Sequence, residues 1–246
     1  MINEKINLPF YISTNDKHHD CLKVFIEIFY HFLPQQELVV LGYKKPQFLL
    51  PDSCSFISMG VQGPVEEWST DLRRFFLNCQ DKYFIYGTED TFFYKKPNVK
   101  FINYLSDNLN FKNKIVNRIN LVNATEGDNC TLKDSPHYRV NFIKTFNEHR
   151  WESWDLYSQA KDSNYSLTTQ FSIWNKDFLL KYLIDGLTPW QFELSSSKVT
   201  AEEKKNIYMI DKNYPIFKKE GYSLGTWTNQ EYWKKLLKNK TKNELF

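Results

Sequence analysis

An α/β fold built on one Rossmann-like sheet flanked by helices is predicted by three observations. Short apolar runs of strand length alternate with longer segments whose apolar residues return every three or four positions. One such run, residues 83–86, is nearly all apolar, stops at Gly87, and is followed at once by Glu89 and Asp90 and then by Phe92 and Phe93. Two carboxylates are thereby held at the end of a buried strand between apolar blocks that must both pack. The crevice outside the carboxyl ends of the strands is where open α/β sheets take ligands. The length, 246 residues, suits one large domain with a substantial core.

Residues 8–13 read as the first buried strand, and Ser13-Thr14-Asn15-Asp16-Lys17 as the polar loop after it. Leu22, Phe25, Ile26, Phe29 and Phe32 mark a helix over 20–32 that Pro34 ends. Strands at 37–41 and 54–59 give a β-α-β-β opening with its loops at one sheet edge. Thr14, Asn15 and Asp16 then face the same crevice as Glu89 and Asp90. Asn and Asp are also favoured N-caps, so helix capping competes with ligand binding at these positions.

Residues 60–64 carry turn chemistry and lead through Glu67, Trp68 and Ser69 to a helix that Ser69 can cap. Arg73, near its start, suits bidentate pairing with phosphate oxygens, and Trp68 suits stacking beneath a nucleotide; a solvated arginine and a core tryptophan are the plainer alternatives. Val99, Ile102, Leu105 and Leu109 mark another helix, and 115–122 reads as a strand. A polar loop at 123–136 separates it from the segment 138–146.

Trp151, Trp154 and Tyr157 crowd the chain ahead of Thr169 and Gln170, serving either core packing or sugar stacking. A helix over 176–184 closes at Gly186. Pro189 restarts the chain and sets Glu193 one helical turn beyond Trp190 on the same face. A carboxylate fixed beside a bulky aromatic is partly desolvated, a condition that suits a general base, whereas a helix-surface glutamate is the alternative. Residues 207–210 read as a final strand and 222–227 as a turn-rich segment. The basic, amphipathic tail suits either weak contact with an anionic membrane or a solvated terminal helix. The single domain 1–246 is expected to divide into a nucleotide-binding half at about 1–122, an acceptor half at about 138–228 and the tail at 229–246.

Taken in order, Glu67-Trp68-Ser69, the strand ending in Glu89-Asp90, Gln170 to Trp174 and Pro189-Trp190 to Glu193 resemble a family of bacterial and viral sugar-nucleotide-dependent glycosyltransferases with the GT-A fold. The resemblance runs from about residue 10 to about residue 197. It implies a GT-A-like sheet with an acceptor-side C-terminal half, a nucleotide-sugar donor, and transfer of the sugar to a hydroxyl of a glycan or lipid-linked acceptor. It places Thr14, Asn15, Asp16, Trp68 and Arg73 at the nucleotide, and Gln170, Trp174 and Trp190 at the acceptor sugar. Glu89 and Asp90 would hold a divalent cation, Mn or Mg, with Asp90 and Glu193 catalytic and Glu193 the base. Inversion is favoured because no second nucleophile stands out. The acidic element is Glu-Asp rather than the Asp-x-Asp of most metal-dependent members, so metal dependence stays open.

Two other functions compete. A nucleotidyltransferase would use a glycine-rich loop after the first strand, and residues 13–17 contain no glycine. A non-catalytic carbohydrate-binding protein would need no acidic pair at a strand end. Aromatics make up 17% of the residues, which argues against disorder and supplies stacking surfaces for either enzyme or binder. A formal net charge of +3 is too small to point to nucleic acid as a partner. Cys21, Cys54, Cys79 and Cys130 lie far apart without zinc spacing, as expected of reduced thiols. No apolar run approaches the roughly 20 residues that span a bilayer, and no leader is read at the N-terminus, so a cytoplasmic location is expected.

Overall fold

The computed structural model describes residues 5–93, 96–109, 115–122, 156–158, 166–210, 217–219, 222–223 and 226–227. The loop expected at 123–136, the segment 138–146, Cys130, Trp151, Trp154 and the basic tail lie outside them, and Tyr157 is described by its backbone alone.

The first half alternates as expected: β1 (Phe10–Ser13), α1 (His19–Phe32), β2 (Leu38–Gly42), β3 (Cys54–Ser58), α2 (Trp68–Asn78) and β4 (Tyr83–Thr88). There follow β5 (Thr91–Phe93), α3 (Val99–Asp107), β6 (Arg118–Asn120), β7 (Leu156–Ser158), β8 (Ser172–Asn175) and α4 (Lys176–Tyr182). The last elements are α5 (Pro189–Leu194), α6 (Ala201–Lys204), β9 (Ile207–Ile210), β10 (Phe217–Lys219), β11 (Tyr222–Ser223) and β12 (Thr226–Trp227).

Eight strands form one mixed sheet in the order β3-β2-β1-β4-β8-β6-β9-β7. β1 lies parallel to β2 and β4, β2 to β3, and β6 to β9; β8 runs antiparallel to both of its neighbours, and β7 antiparallel to β9. The chain leaves β1 for β2 on one side, while β4 closes on β1 from the other. Strand order therefore reverses between β1 and β4, the switch point at which doubly wound sheets open their ligand crevice.

Alternation along the strands divides the core into two layers. Phe10, Ile12 and Ile85 face α1 and α3, whereas Tyr11, Phe84 and Tyr86 face α2, α4 and α5. On the first side Phe25 stacks on Phe171 at 5.5 Å, and on the second Phe76 stacks on Phe84 at 4.5 Å. Of the four cysteines, Cys21, Cys54 and Cys79 are free thiols.

Two local readings are corrected. β4 does not stop at Gly87 but runs on to Thr88. The glycine is there because the Phe171 ring lies across it: a Cβ at Gly87 would sit 2.7 Å from Phe171 Cγ. Gly87→Ala is accordingly expected to destabilise the fold by ~1–3 kcal/mol through overpacking; an unchanged denaturation midpoint would show that Phe171 can move aside. The second correction is Ser69, which lies within the first turn of α2 and does not cap it. Its buried hydroxyl accepts the Leu187 amide at 2.7 Å, tying α2 to the segment before α5.

Candidate functional site

The loops after β1, β2, β3 and β4 emerge at one edge of the sheet, and the antiparallel β8 begins there. In the loop after β1, Thr14 is buried and extends the pairing with β2 through its amide to Leu41 O at 2.9 Å. Asn15 caps the short 3-10 turn that follows, its Oδ1 accepting the Lys17 amide at 2.9 Å. Asp16 does not cap. Its amide donates to Gln62 Oε1 at 2.9 Å and its Oδ1 accepts the Lys44 amide at 3.0 Å. One aspartate thereby joins the loops after β1, β2 and β3.

Glu89 and Asp90 form the turn between β4 and β5, and β5 is held by antiparallel pairing with β10. Their side chains part company. Glu89 is only 3% exposed, and its Oε1 meets His18 Nδ1 at 2.8 Å. Asp90 stays half-buried, its Oδ1 accepting the Thr88 hydroxyl at 2.6 Å. The two acids are thus unequal, Glu89 buried with one oxygen on His18 and Asp90 half-buried, and among the described residues no three His, Cys, Asp or Glu side chains stand together as a cation cage. The half-buried Asp90 still fits a cation that takes its remaining ligands from substrate phosphates, as Mg²⁺ does with one or two carboxylates.

His18 carried no signal in the sequence, because its partner lies 71 residues away. Its hydrogen bond to Glu89 raises the imidazole above its ordinary 6.5, with Asp90 adding to the effect. Burial pushes the Glu89 carboxyl up, and the bond from His18 opposes it. We assign the shared proton to His18, where the charge-assisted bond is strongest. The raised His18 fixes the sign for stability: the native state holds on this imidazole a proton that the unfolded chain releases, so this contribution is complete below pH 6.5 and is lost as pH rises through the raised value of His18. Denaturant titrations are expected to show a loss of stability between pH 6 and 9 that Glu89→Gln removes; an equal slope in both proteins would refute the coupling.

Near the same edge, α5 is built by its own sequence: Pro189 opens it and Thr188 with Gln191 forms a capping box. Glu193 projects back to the segment entering β8. Its Oε1 accepts three hydrogen bonds, from the Thr169 amide at 2.8 Å, the Thr169 hydroxyl at 3.0 Å and the Thr168 hydroxyl at 3.1 Å. Trp190, one turn earlier, is 63% exposed. Thr169 O lies 3.4 Å from Thr88 Oγ1, whose proton goes to Asp90, so Thr88 and Thr169 together link Asp90 to Glu193. Gln170 is half-buried at the same edge.

Three expected site residues are elsewhere. Trp174 is fully buried against Phe178, Phe192 and the Arg118 guanidinium. Because β8 is antiparallel, the four residues from Gln170 to Trp174 lead away from the crevice by roughly 13 Å. Arg73 donates to Leu180 O at 2.7 Å and approaches Asp185 at 3.7 Å, satisfying a carbonyl at the C-terminal end of α4. Trp68 packs its half-buried ring on Phe192 beneath α5. No helix among the described residues is long and apolar enough to cross a membrane. Compared with known proteins, the chain matches no family model and no curated protein.

Proposed function

We propose that this protein is a glycosyltransferase of GT-A type that moves a sugar from a nucleotide-sugar donor to a hydroxyl of a glycan or lipid-linked acceptor, with inversion. The observation that carries the reading is the placement of Asp90 and Glu193 at one edge of the sheet, by the β1/β4 switch point, linked through Thr88 and Thr169. Single displacement needs the leaving diphosphate neutralised, the acceptor hydroxyl deprotonated and both sugars aligned. Asp90 and the loop after β1 supply the donor side, and Glu193 with the exposed Trp190 supplies the acceptor side. Glu193 Oε1 is occupied by its three donors, which leaves Oε2 to take the proton. Trp190, exposed one helical turn before Glu193, offers an apolar face on which a pyranose can stack.

A divalent cation bound with the donor would be held by Asp90 and would neutralise the diphosphate as it leaves. Arg73, Trp174 and Glu89 have no direct part in this scheme. The test is a thermal-shift and product-release screen of UDP-, GDP-, CMP- and dTDP-sugars with and without manganese. A cognate donor raises the melting temperature because it binds only the native state, and nucleotide is then released. If no donor shifts the melt or releases nucleotide, the transferase reading falls.

A further inference from the structure

Glu193 is a long, rotatable side chain on a helix of six residues, yet its carboxylate accepts three hydrogen bonds from protein donors. All three land on the same oxygen. The segment that supplies them is itself fixed: Ser196 Oγ accepts the Leu167 amide at 2.8 Å, so the end of α5 and the entry to β8 are bound together at two points. Thr168 Oγ1 accepts the Gln170 amide at 3.1 Å, which directs its one proton to Glu193. Among the described residues Glu193 Oε2 has no hydrogen-bond partner, and Glu193 remains half-exposed.

We infer that Thr169, assisted by Thr168, is the positioning residue of the base: the two threonines hold Glu193 by Oε1 so that Oε2 alone is presented to the incoming hydroxyl. This rests on the transferase reading above and deepens it. Thr169 is suited to the role because its amide and hydroxyl reach Glu193 while its carbonyl lies beside Thr88, the residue that hydrogen-bonds Asp90. Together with Thr88 it thus links the two carboxylates. A rotatable glutamate without these bonds would sample orientations in which neither oxygen faces the acceptor, and small misplacements of a reacting group are costly to rate.

The experiment compares wild type, Thr169→Val, Thr169→Ser, Thr168→Val and Glu193→Gln. The readout is nucleoside diphosphate release from UDP-glucose, UDP-galactose, GDP-mannose and dTDP-glucose, with water standing in for the acceptor. Thr169→Val removes one hydroxyl donor at nearly constant shape and is expected to lower kcat about 10-fold or more with the donor KM within about 2-fold, because the base is misplaced while the donor loops are untouched. Thr169→Ser restores the hydroxyl and is expected to recover most of kcat. A merely structural role would not split kcat from KM or be rescued by serine.

Wild-type kcat in Thr169→Val beside a crippled Glu193→Gln overturns the positioning role and leaves the base in place. Wild-type kcat in both overturns the base assignment itself. Release by no donor even in the wild type removes the reading on which the inference stands. If Thr169→Val does not fold, judged by its circular-dichroism melt, Thr168→Val replaces it with the same expectation.

Discussion

Asp90→Asn is expected to lower turnover by roughly 100-fold or more, the scale on which a group that stabilises developing charge acts, while the fold is kept. An asparagine Oδ1 can still accept the Thr88 hydroxyl that Asp90 accepts at 2.6 Å, so the turn between β4 and β5 retains its anchor. What is lost is charge. Calorimetry of UDP and GDP binding with and without manganese isolates that loss: the wild type is expected to bind tighter with the metal, and Asp90→Asn equally in both conditions. The same metal enhancement in both proteins would remove Asp90 from the donor site. Glu89→Gln is the contrasting variant. Its carboxyl lies buried under His18, so its effect is expected on stability and pH dependence rather than on metal-linked nucleotide affinity.

The same contrast shows what could be read from the chain alone. Glu89 and Asp90 are adjacent, chemically alike and equally placed by pattern at the end of a strand, and sequence locates both at the crevice. It does not tell them apart, because the difference is a histidine 71 positions upstream. Local pattern was sufficient for α1, whose Phe25 and Phe29 fall where helical spacing places them against β1 and β5. It was sufficient as well for α5, where Pro189, Thr188 and Gln191 specify the helix start within a few residues.

Local pattern misled wherever a long-range contact decided the outcome. Gly87 reads as a terminator, but it makes room for Phe171, which no window around residue 87 contains. Arg73 looks like a phosphate ligand until α4 is packed against α2 and its last carbonyls need a donor. Trp174 resembles a sugar platform because of its spacing from Gln170, yet the direction of β8, settled by pairing with β4 and β6, carries it into the core. Asp16 was expected to cap a helix or bind a ligand. It spends its carboxylate on Lys44, so any role at the nucleotide runs through the shape of three joined loops.

The second large effect is expected from Glu193→Gln. The substitution is unusually clean here because a glutamine Oε1 can accept the same three hydrogen bonds from Thr168 and Thr169 that hold the carboxylate. Its Nε2 then occupies the place of Oε2. Shape, clamp and the position of Trp190 are retained, and only the ability to take a proton disappears. Turnover is expected to fall by roughly 100-fold or more, the usual contribution of a general base. Donor affinity is expected to be nearly unchanged, since the loops after β1 and β4 are not altered. A loss of kcat at constant KM identifies an interaction made in the transition state, whereas a raised KM at constant kcat would place Glu193 in ground-state binding. Turnover equal to wild type from pH 6 to 9 would dismiss Glu193 as the base, and Asp90, the other half-buried carboxylate at this edge, would be the next to test in that role.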